Sequence, residues 1–79
     1  MKVNVKFFAG PREQLGIGEL VQELPAGATV KTLADLLVRA YPGLGAFRLK
    51  YAVNSAYVTL DAELYEGDQV ACIPPVGGG

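Results

Sequence analysis

The group best placed to do chemistry in this sequence belongs to the backbone. The last six residues read Pro74-Pro75-Val76-Gly77-Gly78-Gly79. Glycine has no side chain, so a carboxylate on Gly79, behind Gly78 and Gly77, can thread a channel that bulkier residues could not pass. Pro74 and Pro75 favour an extended polyproline geometry that projects such a tail from the body of the protein. A carboxylate is a poor electrophile. Activated with ATP as an acyl-adenylate, it can exchange AMP for sulfur and become a thiocarboxylate. The plain alternative for a glycine-rich end is a frayed terminus.

Few side chains compete with that reading. There is no histidine and one cysteine, Cys72. Ser-His and Cys-His nucleophile systems, the usual zinc ligand sets and an intrachain disulfide are therefore not expected, and neither is a resident metal or bound cofactor. Strand parity turns Cys72 inward between Val70 and Pro74, where a thiol acts as a small hydrophobe. No pair of carboxylates occupies an evident cleft. A net charge of −1 argues against nucleic acid, which needs a clustered basic surface. All the lysines and arginines lie at or before Lys50, and the charged residues beyond it are Asp61, Glu63, Glu66 and Asp68. These acids read either as solvated turns or as a patch facing a basic partner. The opening Met1-Lys2-Val3-Asn4-Val5-Lys6 alternates and does not resemble a signal peptide. No stretch approaches the ~20 apolar residues of a membrane helix, so a cytoplasmic protein without membrane contact is expected.

The elements that would carry the tail can be read in order. Alternation of Val3, Val5 and Phe7 with Lys2, Asn4 and Lys6 predicts a strand over 2–9, closed by Gly10-Pro11. Pro11 to Leu15 predicts a short helical turn, with Pro11 at its first position and Gly16 as its stop. A second strand over 18–24 would put Leu20 and Leu24 on one face and Val21 and Glu23 on the other, forming a hairpin with the first. Thr29 is a good N-cap for a helix over 30–41, with Val30, Leu33, Leu36, Leu37 and Ala40 as its apolar stripe and Lys31 four residues before Asp35. Residues 43–47 read as a loop. Strands follow over 48–54, with Leu49, Tyr51 and Val53 on one face, then over 57–59 and 69–73.

One helix on a mixed sheet of about five strands is an α+β two-layer domain, and the order of elements fits the β-grasp arrangement of ubiquitin. Residues 1–79 would form one such domain, with 74–79 its extended tail. If Val3, Val5, Phe7, Val53, Val58, Val70 and Cys72 face the helix, then Phe8, Tyr57 and Ile73 face out. Three large apolar residues together near the tail would make a docking face.

Those residues lead to a resemblance that spans the whole chain. Val5-Lys6-Phe7-Phe8-Ala9 with Arg12-Glu13, Gly27-Ala28-Thr29-Val30, Ala52-Val53-Asn54, Asp61 to Leu64, and the run from Glu66 to Gly79 resemble the MoaD/ThiS sulfur-carrier family, most closely its MoaD branch. The ending looks like the family's Pro-Pro-Val-x-Gly-Gly, with Gly77 at the variable position. The resemblance implies that an E1-like adenylyltransferase activates Gly79 with ATP and that a sulfur donor system converts it to a thiocarboxylate. It implies that Gly78 and Gly77, with Val76, Pro75 and Pro74, carry that group into a MoaE-like large subunit. There it would supply sulfur to the pterin precursor of the molybdenum cofactor, within a heterotetramer. Phe8, Tyr57 and Ile73 match the family's hydrophobic contact surface. Cys72 departs from the aromatic or larger apolar residue frequent at that position. A thiamine-type carrier, a modifier joined to lysines through Gly79, and a β-grasp interaction module without covalent chemistry remain the alternatives.

Overall fold

The computed structural model describes residues 1–75. Five strands form one sheet in the order β2-β1-β5-β3-β4. They are β1 (Lys2–Phe7), β2 (Glu19–Glu23), β3 (Lys50–Val53), β4 (Ala56–Val58) and β5 (Gln69–Ile73). The first and last strands lie side by side and parallel, and the β1–β2, β3–β4 and β3–β5 pairs are antiparallel. Two α-helices, α1 (Ala9–Leu15) and α2 (Val30–Ala40), and a 3-10 helix over Pro42–Ala46 complete the fold.

The alternation read from the sequence decides the core. Val3, Val5, Phe7, Val70, Cys72 and Tyr51 are buried from the sheet side, and Val30, Leu33 and Leu37 from α2. Leu24, Leu44 and Leu64 belong to the same core. Thr29 caps α2 as expected, and it does so reciprocally. Its Oγ1 accepts from the Thr32 N–H, and its own N–H donates to Thr32 Oγ1, which satisfies two donors at the helix start. Lys31 and Asp35 meet at 3.0 Å on the solvent side.

Several expected boundaries shift. The first strand stops at Phe7, because Ala9 has φ +51° and turns the chain into α1. That helix therefore begins at Ala9, with Pro11 at its third position rather than its first. The missing N–H of Pro11 costs nothing there, since the first-turn donors have no intrahelical acceptor. Ala40 is exposed at the end of α2, off the buried stripe. Residues 42–46 are helical because Pro42 sits at the start of the turn and Leu44 inserts into the core. The β3–β4 connection is a two-residue turn at Asn54 and Ser55, both with positive φ, the backbone twist that suits a tight hairpin. This moves β4 one residue earlier than its expected start.

Candidate functional site: the open sheet face and the root of the tail

The helices cover one face of the sheet, and the register defines what the other presents. Across its width run Glu19, Lys6, Ala71, Ala52 and Tyr57, each opposite the next. One step nearer the tail, Ile73 stands opposite Lys50. Phe8 follows Phe7 in an extended conformation, φ −127° and ψ 152°. Continuing the Phe7–Cys72 pairing by one residue sets Phe8 beside Ile73 on this outer face.

Phe8, Tyr57 and Ile73 thus share one face, as strand parity indicated. Phe8 is 44 % exposed and Tyr57 69 %, while Ile73 is half-buried. Between them lie two alanines, Ala71 and Ala52, so the centre is flat and its rim carries the large side chains. Tyr57, Ile73, Pro74 and Pro75 also line a groove with Lys50 and Leu60. The groove runs to the point where the described chain ends, at Pro75. Val76, Gly77, Gly78 and Gly79 lie outside the described residues.

Sequence reasoning missed part of this site. Leu60, 48 % exposed, lies two residues past the end of β4 in a turn, where alternation gives no guide to its direction. Ala52 and Ala71 carried an outward signal by parity, but small residues do not announce a contact face.

Of the two readings of the acidic stretch, the turn reading fits Glu66 and Asp68. Asp68 accepts from Asn54 Nδ2 at 3.0 Å and from the Tyr65 N–H at 2.8 Å, and Glu66 accepts from the Lys2 N–H at 2.8 Å. Both precede β5 and so sit at the opposite end of the sheet from Ile73. Their work is to lock the turn into β5, helped by Gly67 at φ +83°. Of the four acids only Asp61, which accepts from the Thr59 hydroxyl, lines the groove.

Cys72 has no exposed surface, and burial pushes its thiol up to about 12. Its cross-strand neighbour Tyr51 is likewise pushed up to about 12, chiefly by burial. A thiol held protonated inside the core is a poor nucleophile. Among the described residues no group of His, Cys, Asp or Glu could hold a metal, and no helix is long and apolar enough to cross a membrane. What the described part presents is a flat apolar face that reaches Pro75, where the described chain ends.

A five-stranded mixed sheet with parallel first and last strands and a helix across one face defines a β-grasp protein, here with its free face next to Pro74 and Pro75. The model of the ThiS family matches residues 5–79, and the chain belongs to that family. It is 39 % identical over 83 residues to the molybdopterin synthase sulfur carrier subunit of Chlamydomonas reinhardtii, covering all of both chains. Among solved structures it resembles small archaeal modifier protein 1 of Haloferax volcanii, with a TM-score of 0.87 and 27 % identity over 95 % of this chain and 98 % of that one. It also resembles a chain in the complex of subunits 1 and 2 of the molybdopterin-converting factor from Helicobacter pylori, with a TM-score of 0.74 and 26 % identity over the full length of both.

Proposed function

We propose that this chain, a single domain over residues 1–79, is the sulfur-carrier subunit of a molybdopterin synthase. The observation that carries the reading is its end-to-end likeness to a protein of that name, at 39 % identity with both chains wholly covered. The open sheet face at the root of the arm supports it, because a carrier needs a surface by which partners hold it while the arm is used.

The working group is the carboxylate of Gly79. It attacks the α-phosphorus of ATP on an E1-like adenylyltransferase, releasing pyrophosphate and leaving an acyl-adenylate. Hydrosulfide supplied by a sulfur donor then adds to the acyl carbon, AMP departs and the proton is lost, which leaves a thiocarboxylate. Gly78 and Gly77 keep the path narrow, and Val76, Pro75 and Pro74 space the reacting carbon from the body. A MoaE-like large subunit receives the arm, docks on Phe8, Tyr57 and Ile73, and supplies the groups that act on the pterin precursor. Two sulfur deliveries complete the dithiolene, and hydrolysis returns Gly79 to a carboxylate each time. The carrier itself is not an enzyme and holds no cofactor. Two carriers and two large subunits form a heterotetramer in the cytoplasm.

Deleting Gly79 tests the assignment. In a mixture of carrier, activating enzyme, sulfur donor, large subunit and precursor, the truncated chain yields no molybdopterin, while its melting temperature stays that of the full chain. Unchanged product formation would sink the proposal. A second reading, attachment of Gly79 to lysine amines, draws on the likeness to the archaeal modifier. It predicts carrier–protein adducts that survive reducing agent, where the sulfur-carrier reading predicts none.

A further inference from the structure

A second feature borders the open face. Lys6, Phe8, Arg12, Gly18 and Glu19 line a cleft where β1, α1 and β2 meet. Lys6 and Arg12 are both exposed, and neither has a carboxylate within 4 Å or a side-chain hydrogen bond among the described residues. Glu19 stands opposite Lys6 in the strand register without closing an ion pair. Two cations and one acid leave the cleft with a single net positive charge.

Arg12 also lies against the backbone of β2's approach. Its guanidinium lies close over Gly18, where a Cβ would fall 3.0 Å from Cζ and 3.2 Å from Nε and Nη2. The absence of a side chain at Gly18 gives the guanidinium room to lie there, in the same cleft as Phe8. An exposed guanidinium with no carboxylate partner among the described residues is suited to a planar carboxylate.

We propose that this cleft receives one carboxylate side chain of the large subunit. Lys6 and Arg12 would grip the acid while Phe8 packs beside it. The inference rests on the function proposed above and adds the character of the partner: its surface facing β1 and α1 is acidic. Charges at the edge of an apolar contact govern encounter rate and salt dependence more than the contact itself, so the two kinds of group separate in an experiment.

The test is binding of the full-length chain to its large subunit between about 25 and 400 mM salt, with association rates recorded (roughly a fourfold range in screening length). Wild-type affinity falls steeply with salt. The double variant Lys6→Gln, Arg12→Gln binds about tenfold or more weakly at low salt, mainly through slower association, and shows a flattened salt dependence. Phe8→Ala weakens binding but keeps the wild-type salt slope. Circular dichroism confirms that each variant is folded, and Lys6→Gln alone, which leaves the Arg12–Gly18 packing intact, gives part of both effects. If the double variant matches wild type in affinity and slope, the cleft proposal is overturned. It is equally overturned if the variants bind the large subunit normally but slow adenylation, since the cleft would then serve a phosphate. Absence of any complex with the wild-type chain would instead contradict the proposed function itself.

Discussion

Truncating Tyr57 tests the proposed docking face separately from the fold. Tyr57 is 69 % exposed on the edge strand β4 and points away from the core. A tyrosine side chain presents about 200 Å², so about 140 Å² remains to be covered by a partner, worth up to ~3.5 kcal/mol at 25 cal/mol/Å². The phenolic oxygen and the methyl left in alanine reduce this to about 2 kcal/mol, or about 30-fold in Kd, within the range of interface anchors. The isolated domain loses little, since the side chain is already mostly in water. Tyr57→Ala should cost the fold about 0.5 kcal/mol and lower the melting temperature by ~2–4 °C. The assay is calorimetric titration of the large subunit with wild-type and variant carrier, alongside a thermal melt of each. A Kd within twofold of wild type would place Tyr57 outside the contact and refute the assignment of this face. A large fall in melting temperature would show that Tyr57 supports the fold, contrary to its exposure.

Further predictions concern the frame behind that face. Cys72→Ser buries a hydroxyl where the core offers a thiol no partner, and should destabilise the domain by about 1–3 kcal/mol, measured by urea denaturation. Because burial raises both Cys72 and Tyr51 to about 12 from ordinary values of 9.0 and 10.0, their neutral forms favour the folded state. Their contribution is complete below pH 9 and is lost as pH rises from there towards 12, so the melting temperature should fall through that window. Cys72→Ala should make the early part of that fall shallower. Asp68→Ala removes the acceptor for Asn54 and for the Tyr65 N–H, and should cost about 1–2 kcal/mol without changing affinity for the large subunit, as read by the same melts and titrations.

The strength of period-two alternation explains why the sheet was legible. Val3, Val5 and Phe7 against Lys2, Asn4 and Lys6 leave one choice of face for β1, and a one-residue slip would expose every buried group. The same parity carried Phe8 to the outer face, although Phe8 lies beyond the strand, because its backbone stays extended. Local rules failed where tertiary contacts decide. Ala40 fits the helical stripe by spacing but lies past the last position that the sheet covers. Residues 42–46 looked like loop because two glycines and a proline break a pattern, yet Leu44 anchors a 3-10 turn in the core. The acids from Asp61 to Asp68 left turn and patch both open, because sequence shows charge without direction. In space two of them are tied into the turn before β5. The approach of Arg12 to Gly18 joins residues on either side of a turn, and no spacing rule could have shown it.

The claim on which the rest depends is that the carboxylate of Gly79 exchanges oxygen for sulfur. Intact-mass spectrometry of the full-length chain, after incubation with ATP, the E1-like enzyme and a sulfur donor, reads this directly. The account predicts a gain of about 16 Da, the mass difference between sulfur and oxygen, confined to a C-terminal peptide containing Gly78 and Gly79 and absent when ATP is withheld. An unchanged mass with an active enzyme and donor, or a gain mapped to Cys72, would contradict it.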